Sequence, residues 1–198
     1  MKAPALAVAA ALTLLAGSTG AYQSGSASGT PSVEKAFPKA GTIRMNLSAG
    51  DYRISGRPDE RIRITWRADR PEQAANLKAD AEIRGNVATI ATSGFRHGIH
   101  FTIEVPARSD VEIDLTAGDL ELRGIEGSKR VEAWAGDLSI DVGQPEQYRH
   151  VEASVRAGDL SAAPFKVSKG GLFRSFNWTG TGPYSLKATL VAGDLTLR

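Results

Sequence analysis

Through most of this chain apolar and polar side chains alternate one by one. Ile43, Met45, Leu47 and Ala49 fall on one side of an extended backbone, with Arg44, Asn46 and Ser48 on the other. Ile62, Ile64 and Trp66 alternate with Arg61, Arg63, Thr65 and Arg67, and Phe101, Ile103 and Val105 with His100, Thr102 and Glu104. Val111, Ile113 and Leu115 resume the pattern after Pro106 to Asp110, and Val131, Ala133 and Ala135 carry it on. A period of two predicts half-buried strands. The stretch Arg70 to Ala81 departs from it: Pro71 followed by Glu72, Gln73, Ala74, Ala75 and Leu77 allows either a short helix or an irregular turn.

The strands are punctuated by one recurring corner. Ala-Gly-Asp occurs five times, with its last two residues at Gly50-Asp51, Gly118-Asp119, Gly136-Asp137, Gly158-Asp159 and Gly193-Asp194. Alanine fits inside a tight bend, glycine reaches positive φ at little steric cost, and aspartate bonds nearby backbone. The residue that follows (Tyr52, Leu120, Leu138, Leu160 or Leu195) is apolar and turns back toward a core. Gly118 and Gly136 stand 18 residues apart, Gly136 and Gly158 stand 22 apart, and the 35 from Gly158 to Gly193 fit one turn plus an insertion around residues 164–184. The 68 residues from Gly50 to Gly118 read as three turns whose markers have decayed. Such a period predicts an all-β, single-stranded right-handed β-solenoid of about eight short rungs, stacked about 4.8 Å apart. An antiparallel β-sandwich is the alternative; it accounts for the strands but not for the repeated corner.

Stacked rungs would align equivalent positions. The residue before each corner points outward if alanine points inward, so Thr116, Trp134 and Arg156 would form one exposed column, with Trp134 beside Arg156 in cation–π reach. The five aspartates would form a ladder. Neighbouring carboxylates about 4.8 Å apart repel by about 0.9 kcal/mol in water, so the ladder must stay wet, take bonds from the corners or bind a cation. Calcium is the cation to consider, but nonapeptide Gly-Gly-x-Gly-x-Asp repeats are absent, and solvated corner caps are the expected role.

The run Phe101-Thr102-Ile103-Glu104-Val105-Pro106, followed by Asp110 through Leu120 with its Ala117-Gly118-Asp119 corner, resembles the bacterial β-strand-repeat domains of unknown function. These are also called toast-rack or adhesin-head domains. The resemblance spans residues 36–198 and names no activity. It implies a right-handed β-helix, exported or tethered at the envelope, in some relatives attached to membrane-stress regulators. The long Gly158–Gly193 interval and the stretch Arg70 to Gly98 depart from the family pattern.

Composition refines the setting. Residues 1–21 read as a signal peptide: Lys2, an apolar stretch from Ala5 to Ala16, then Ser18-Thr19-Gly20-Ala21. That apolar stretch is too short for a membrane span, and Ser18 stands where a lipoprotein would need cysteine. Residues 22–35 form a small polar linker, and 36–198 the repeat domain. Export to the periplasm or the extracellular space is expected, with no stable membrane insertion after cleavage. There is no cysteine, hence no disulfide or thiolate chemistry, and a net charge of +2 is too balanced for a nucleic-acid-binding surface.

Candidate chemistry is sparse. The insertion places Phe173, Phe176, Trp178 and Tyr184 among glycines, either as a recognition tip, with Trp178 joining the binding column, or as a lid over the open end of the core. The last strand, Leu195 to Arg198, is expected at an edge, covered by that loop or paired in a self-association. His97 and His100 face opposite ways and His150 lies far off, so no metal or cofactor is expected. Asp119, Asp137 and Arg156 would be the trio of a polysaccharide-cleaving enzyme, but chains of that sort are usually much longer, with loops that build a cleft. The expectation is a non-enzymatic envelope structural or interaction module, adhesin-like or stress-associated, whose partner is an envelope protein or a glycan. A glycan- or small-ligand-binding protein using the Trp134 and Arg156 column is the alternative.

Overall fold

The structure is a computed structural model that describes residues 31–70, 77–94 and 98–198. Among these residues the chain is all-β, in two mixed sheets. The nine-stranded sheet runs in the spatial order β1 (Ser32–Ala36), β4 (Arg61–Ala68), β7 (Ile99–Pro106), β3 (Asp51–Arg57), β9 (Leu120–Arg123), β11 (Leu138–Ile140), β17 (Leu195–Leu197), β13 (Leu160–Ala162), β14 (Val167–Lys169). The eight-stranded sheet runs β15 (Leu172–Thr179), β12 (Tyr148–Ala157), β16 (Tyr184–Ala192), β10 (Lys129–Ala135), β8 (Asp110–Ala117), β2 (Thr42–Leu47), β6 (Val87–Ser93), β5 (Lys78–Arg84). Inward side chains of both sheets form one buried cluster, so the layers face each other like a sandwich.

Pairing inside each sheet is parallel, and antiparallel strands finish the edges. At every Ala-Gly-Asp corner the chain crosses from the eight-stranded to the nine-stranded sheet: β2 to β3, β8 to β9, β10 to β11, β12 to β13 and β16 to β17. The inner register is regular. Leu120, Leu138, Leu195 and Leu160 lie side by side across four strands and are fully buried, each contributing about 2 kcal/mol of burial.

The corner requires glycine for two reasons. Gly118, Gly136, Gly158 and Gly193 have φ of 113°, 125°, 136° and 126°. In addition, a Cβ on Gly136 would sit 2.0 Å from the carbonyl oxygen of Gly118, and one on Gly193 would sit 2.0 Å from that of Gly136. Glycines therefore stack against glycines. Gly50 ends the row: its φ is not positive, and the space beside it faces the Ile99 carbonyl at 3.4 Å.

Several expectations change here. A single ascending coil is not what forms, because β16 and β17 insert between the β10–β11 and β12–β13 pairs instead of following them. The reason is that β14 and β15 reverse direction after β13, pair antiparallel with the preceding strands, and return the chain on the inner side. The last strand is therefore interior, paired with β11 and β13, and not the free edge expected for self-association. Of the three decayed turns expected between Gly50 and Gly118 one forms, and it lies to one side: β6 and β7 pair parallel with β2 and β3 on the flank away from β8 and β9, which themselves pair directly with β2 and β3. The intervening residues form β4, β7 and a β5–β6 hairpin around Gly85, whose φ is 59°. Lys78–Arg84 is a strand and not the end of a helix, since Ala79, Ala81 and Ile83 turn inward in alternation; residues 71–76 lie outside the described residues. Finally, Ser32–Ala36, mostly inside the expected linker, pairs with β4, where Glu34 meets Arg61 and Arg63.

Candidate functional site

The outer face of the eight-stranded sheet carries its side chains in rows set by the parallel register. Asn46, Asp114, Glu132, Thr189 and Ser154 lie abreast on β2, β8, β10, β16 and β12. One step nearer the corners a second row holds Thr116, Trp134, Val191 and Arg156. Phe173 stands opposite Arg156, between the pairs Val155–Arg174 and Ala157–Leu172. Trp134 is 68% exposed and Phe173 76%, unusual for large apolar side chains.

Between the two rows lies a groove of about 540 Å³, lined by Asn46, Asp114, Thr116, Glu132, Trp134 and Thr189 among others. The structure thus brings Thr116 and Trp134 together. It does not place Trp134 beside Arg156, because the late insertion of β16 puts Val191 between them. Trp178 also lies elsewhere: with Phe176 it packs on Phe165, centroids 5.2 Å apart in each case, against the buried core. That cluster is the expected lid, from which Phe173 is excluded.

Charge is distributed unevenly over the face. Arg130 binds the Glu132 carboxylate at 2.6 Å, and Arg44 binds Glu112 at 3.0 Å. The Asp114 carboxylate makes no hydrogen bond or ion pair among the described residues, although the Arg130 guanidinium attracts it electrostatically. Hence the groove carries a carboxylate that has no hydrogen-bonded partner, while its nearest cations are committed to neighbours.

The corner aspartates have a different task. Oδ1 of Asp119 accepts the Asp137 N–H at 3.2 Å, that of Asp137 the Asp194 N–H at 3.3 Å, and that of Asp194 the Asp159 N–H at 3.0 Å. They form a ladder of caps in the order 119, 137, 194, 159. At the first corner the Tyr52 hydroxyl donates to the Ser48 carbonyl at 3.0 Å and contacts Thr92 Oγ1 at 2.7 Å. Asp119, Asp137 and Arg156, the trio considered for cleavage, do not converge: the aspartates hold backbone at the corners, and Arg156 is on the outer face.

Three other ionisable clusters are built into the fold. Lys129 is 2% exposed, points into the core between Val111 and Leu186, and donates to the Tyr148 hydroxyl and, at 3.4 Å, to the Gly127 carbonyl. Burial lowers its pKa to about 8 and raises that of Tyr148. Hydrogen bonds from Arg53, Arg198 and Arg123 hold the Glu121 carboxyl down at about 2. His100 sits between Asp51 (3.1 Å) and Asp69 (3.2 Å). His97 lies outside the described residues, and among the described residues no three His, Cys, Asp or Glu side chains are arranged to hold a metal ion.

Sequence reasoning missed Asn46, Asp114, Glu132 and Thr189. Each is an outward residue of an alternating strand, but only the pairing order shows that they share a row.

No protein-family model and no curated protein matches the chain. Among solved structures, a candidate cell adhesion protein from Clostridium sporogenes ATCC 15579 is similar with a TM-score of 0.53 and 12% identity, over 85% of this chain and 99% of that one. A candidate adhesin from Bacteroides fragilis NCTC 9343 (9% identity, 87% of this chain, 98% of that one) and a candidate lipid-binding protein from Parabacteroides distasonis ATCC 8503 (9%, 86%, 97%) overlap more loosely, each with a TM-score of 0.24. At 12% identity the first likeness is one of fold. No helix among the described residues is long and apolar enough to cross a membrane.

Proposed function

We propose that this chain is an exported, non-enzymatic interaction module of the cell envelope, adhesin-like in its mode of action. Its contact surface is the outer face of the eight-stranded sheet around Trp134. The observation that carries the reading is the exposed rim of that face: Trp134, Val191 and Phe173 present apolar surface on a rigid sheet, and a groove with a carboxylate that has no hydrogen-bonded partner runs beside Trp134. Rigid, preorganised aromatic surface loses little entropy on contact, which suits recognition. The shared fold with a candidate cell adhesion protein is consistent with this role. Residues 1–21 support export, to the periplasm or the extracellular space, and the partner is an envelope protein or a glycan.

A photo-crosslinking residue at position 191 tests the surface, with one at position 196 of the nine-stranded sheet as control. Adducts with envelope material from position 191 and not from 196 are expected; equal or absent labelling contradicts the reading.

A further inference from the structure

Resting on that contact face, we propose that the groove beside Trp134 binds an uncharged saccharide, with the indole as stacking platform and Asp114, Asn46 and Thr189 as hydroxyl partners. The indole stands on the outer face of the sheet and is 68% exposed, so an apolar C–H face of a sugar ring can rest on it. The polar row runs alongside, its side chains about 4.8 Å apart from strand to strand. Asp114 offers two carboxylate oxygens without a hydrogen-bonded partner, suited to a pair of vicinal hydroxyls; Asn46 offers both a donor and an acceptor, and Thr189, whose Oγ1 accepts from Ser154 at 3.4 Å, keeps a hydroxyl proton to donate. A polyol needs this mixture of one apolar face and many small hydrogen-bonding groups.

Charge narrows the class. Both Asp114 and Glu132 line the groove, whereas Arg130, which pairs with Glu132 and also attracts Asp114, does not line it, so the groove keeps a negative character. Uronic acids, phosphorylated sugars and lipid phosphates are therefore disfavoured. A quaternary ammonium would match the carboxylate, but recognition of such cations relies on a cage of several aromatic rings, and this groove has one indole among hydroxyls.

The test uses the full chain, labelled with nitrogen-15, and follows the indole N–H signals of its three tryptophans. The probes are cellobiose, maltose, lactose and N,N′-diacetylchitobiose, with glucuronic acid and tetramethylammonium as charged rivals. At least one neutral disaccharide is expected to shift the Trp134 signal saturably while Trp66 and Trp178 stay fixed. Asp114→Ala is expected to weaken that binding by about tenfold or more with an otherwise unchanged spectrum. A Trp134 signal that moves with no neutral sugar, or moves more with either charged rival, overturns the proposal. If the sugars fail while crosslinking from position 191 persists, the saccharide is wrong and the contact face stands; if both fail, the face is wrong as well.

Discussion

Gly193 and Gly136 are packed so closely that a Cβ on Gly193 would fall 2.0 Å from the Gly136 carbonyl oxygen, although another corner, at Gly158, lies between them in the chain. Each of these glycines also holds a φ near +125°, outside the regions L residues ordinarily adopt, which costs a side chain about 1–3 kcal/mol before any clash. Gly136→Ala and Gly193→Ala should each destabilise the fold by about 3 kcal/mol or more in urea unfolding. Gly50→Ala should cost under about 1 kcal/mol, because neither constraint applies to it. Equal losses at all three positions would contradict the stacked-corner account.

The aspartate ladder predicts a smaller effect. Asp194→Ala removes the acceptor for the Asp159 N–H and should cost about 1 kcal/mol by chemical unfolding. Asp194→Asn retains an acceptor oxygen and should recover most of that loss.

Lys129 and Tyr148 set the alkaline behaviour. The folded chain holds the Lys129 proton less tightly than the unfolded chain, so the unfolded state binds more protons between about pH 8 and 10.5, and stability rises with pH across that window. The raised pKa of Tyr148 acts in the opposite sense above pH 10, where the unfolded tyrosine ionises first. Unfolding free energies of the wild type should increase from pH 8 to 10, and Lys129→Met should abolish the increase. The same rise in the variant would assign it to other groups.

Glu121 sets the acidic behaviour. Its folded pKa is depressed, so its contribution is complete above pH 4.5 and fades as pH falls toward 2. Glu121→Gln should flatten the fall in melting temperature between those values, and Arg198→Ala should flatten it in part, because Arg53 and Arg123 still reach the carboxylate.

The aromatic lid predicts a packing loss. Phe176→Ala removes a ring packed on Phe165 and should cost about 3 kcal/mol, whereas Phe173→Ala, at an exposed position, should cost under about 0.5 kcal/mol.

Strands and corners were legible because both rest on local physics. Alternation at Ile43 to Leu47 or Val111 to Leu115 allows one buried face, and glycine followed by aspartate marks a bend that must pack closely. The order of strands was not legible. Nothing local says that Tyr184–Ala192 returns to lie between Tyr148–Ala157 and Lys129–Ala135; that follows from the reversal through β14 and β15, where long-range pairing decides. The same gap explains the site. Thr116 and Trp134 sit on strands consecutive in both sequence and space, whereas the place next to Trp134 that sequence order gives to Arg156 is held by Val191. Asp114 and Glu132 passed unnoticed because isolated outward carboxylates look like solvated surface until a shared row brings them beside an exposed indole.

The central claim is that the outer face around Trp134 makes the contact. Its most direct test is retention of the purified chain on envelope fragments of the producing organism, comparing the wild type with Trp134→Ala and with Thr196→Ala on the other sheet. Retention should fall about tenfold or more for Trp134→Ala and stay at the wild-type level for Thr196→Ala, with both variants melting as the wild type does. Undiminished retention of Trp134→Ala would contradict the account.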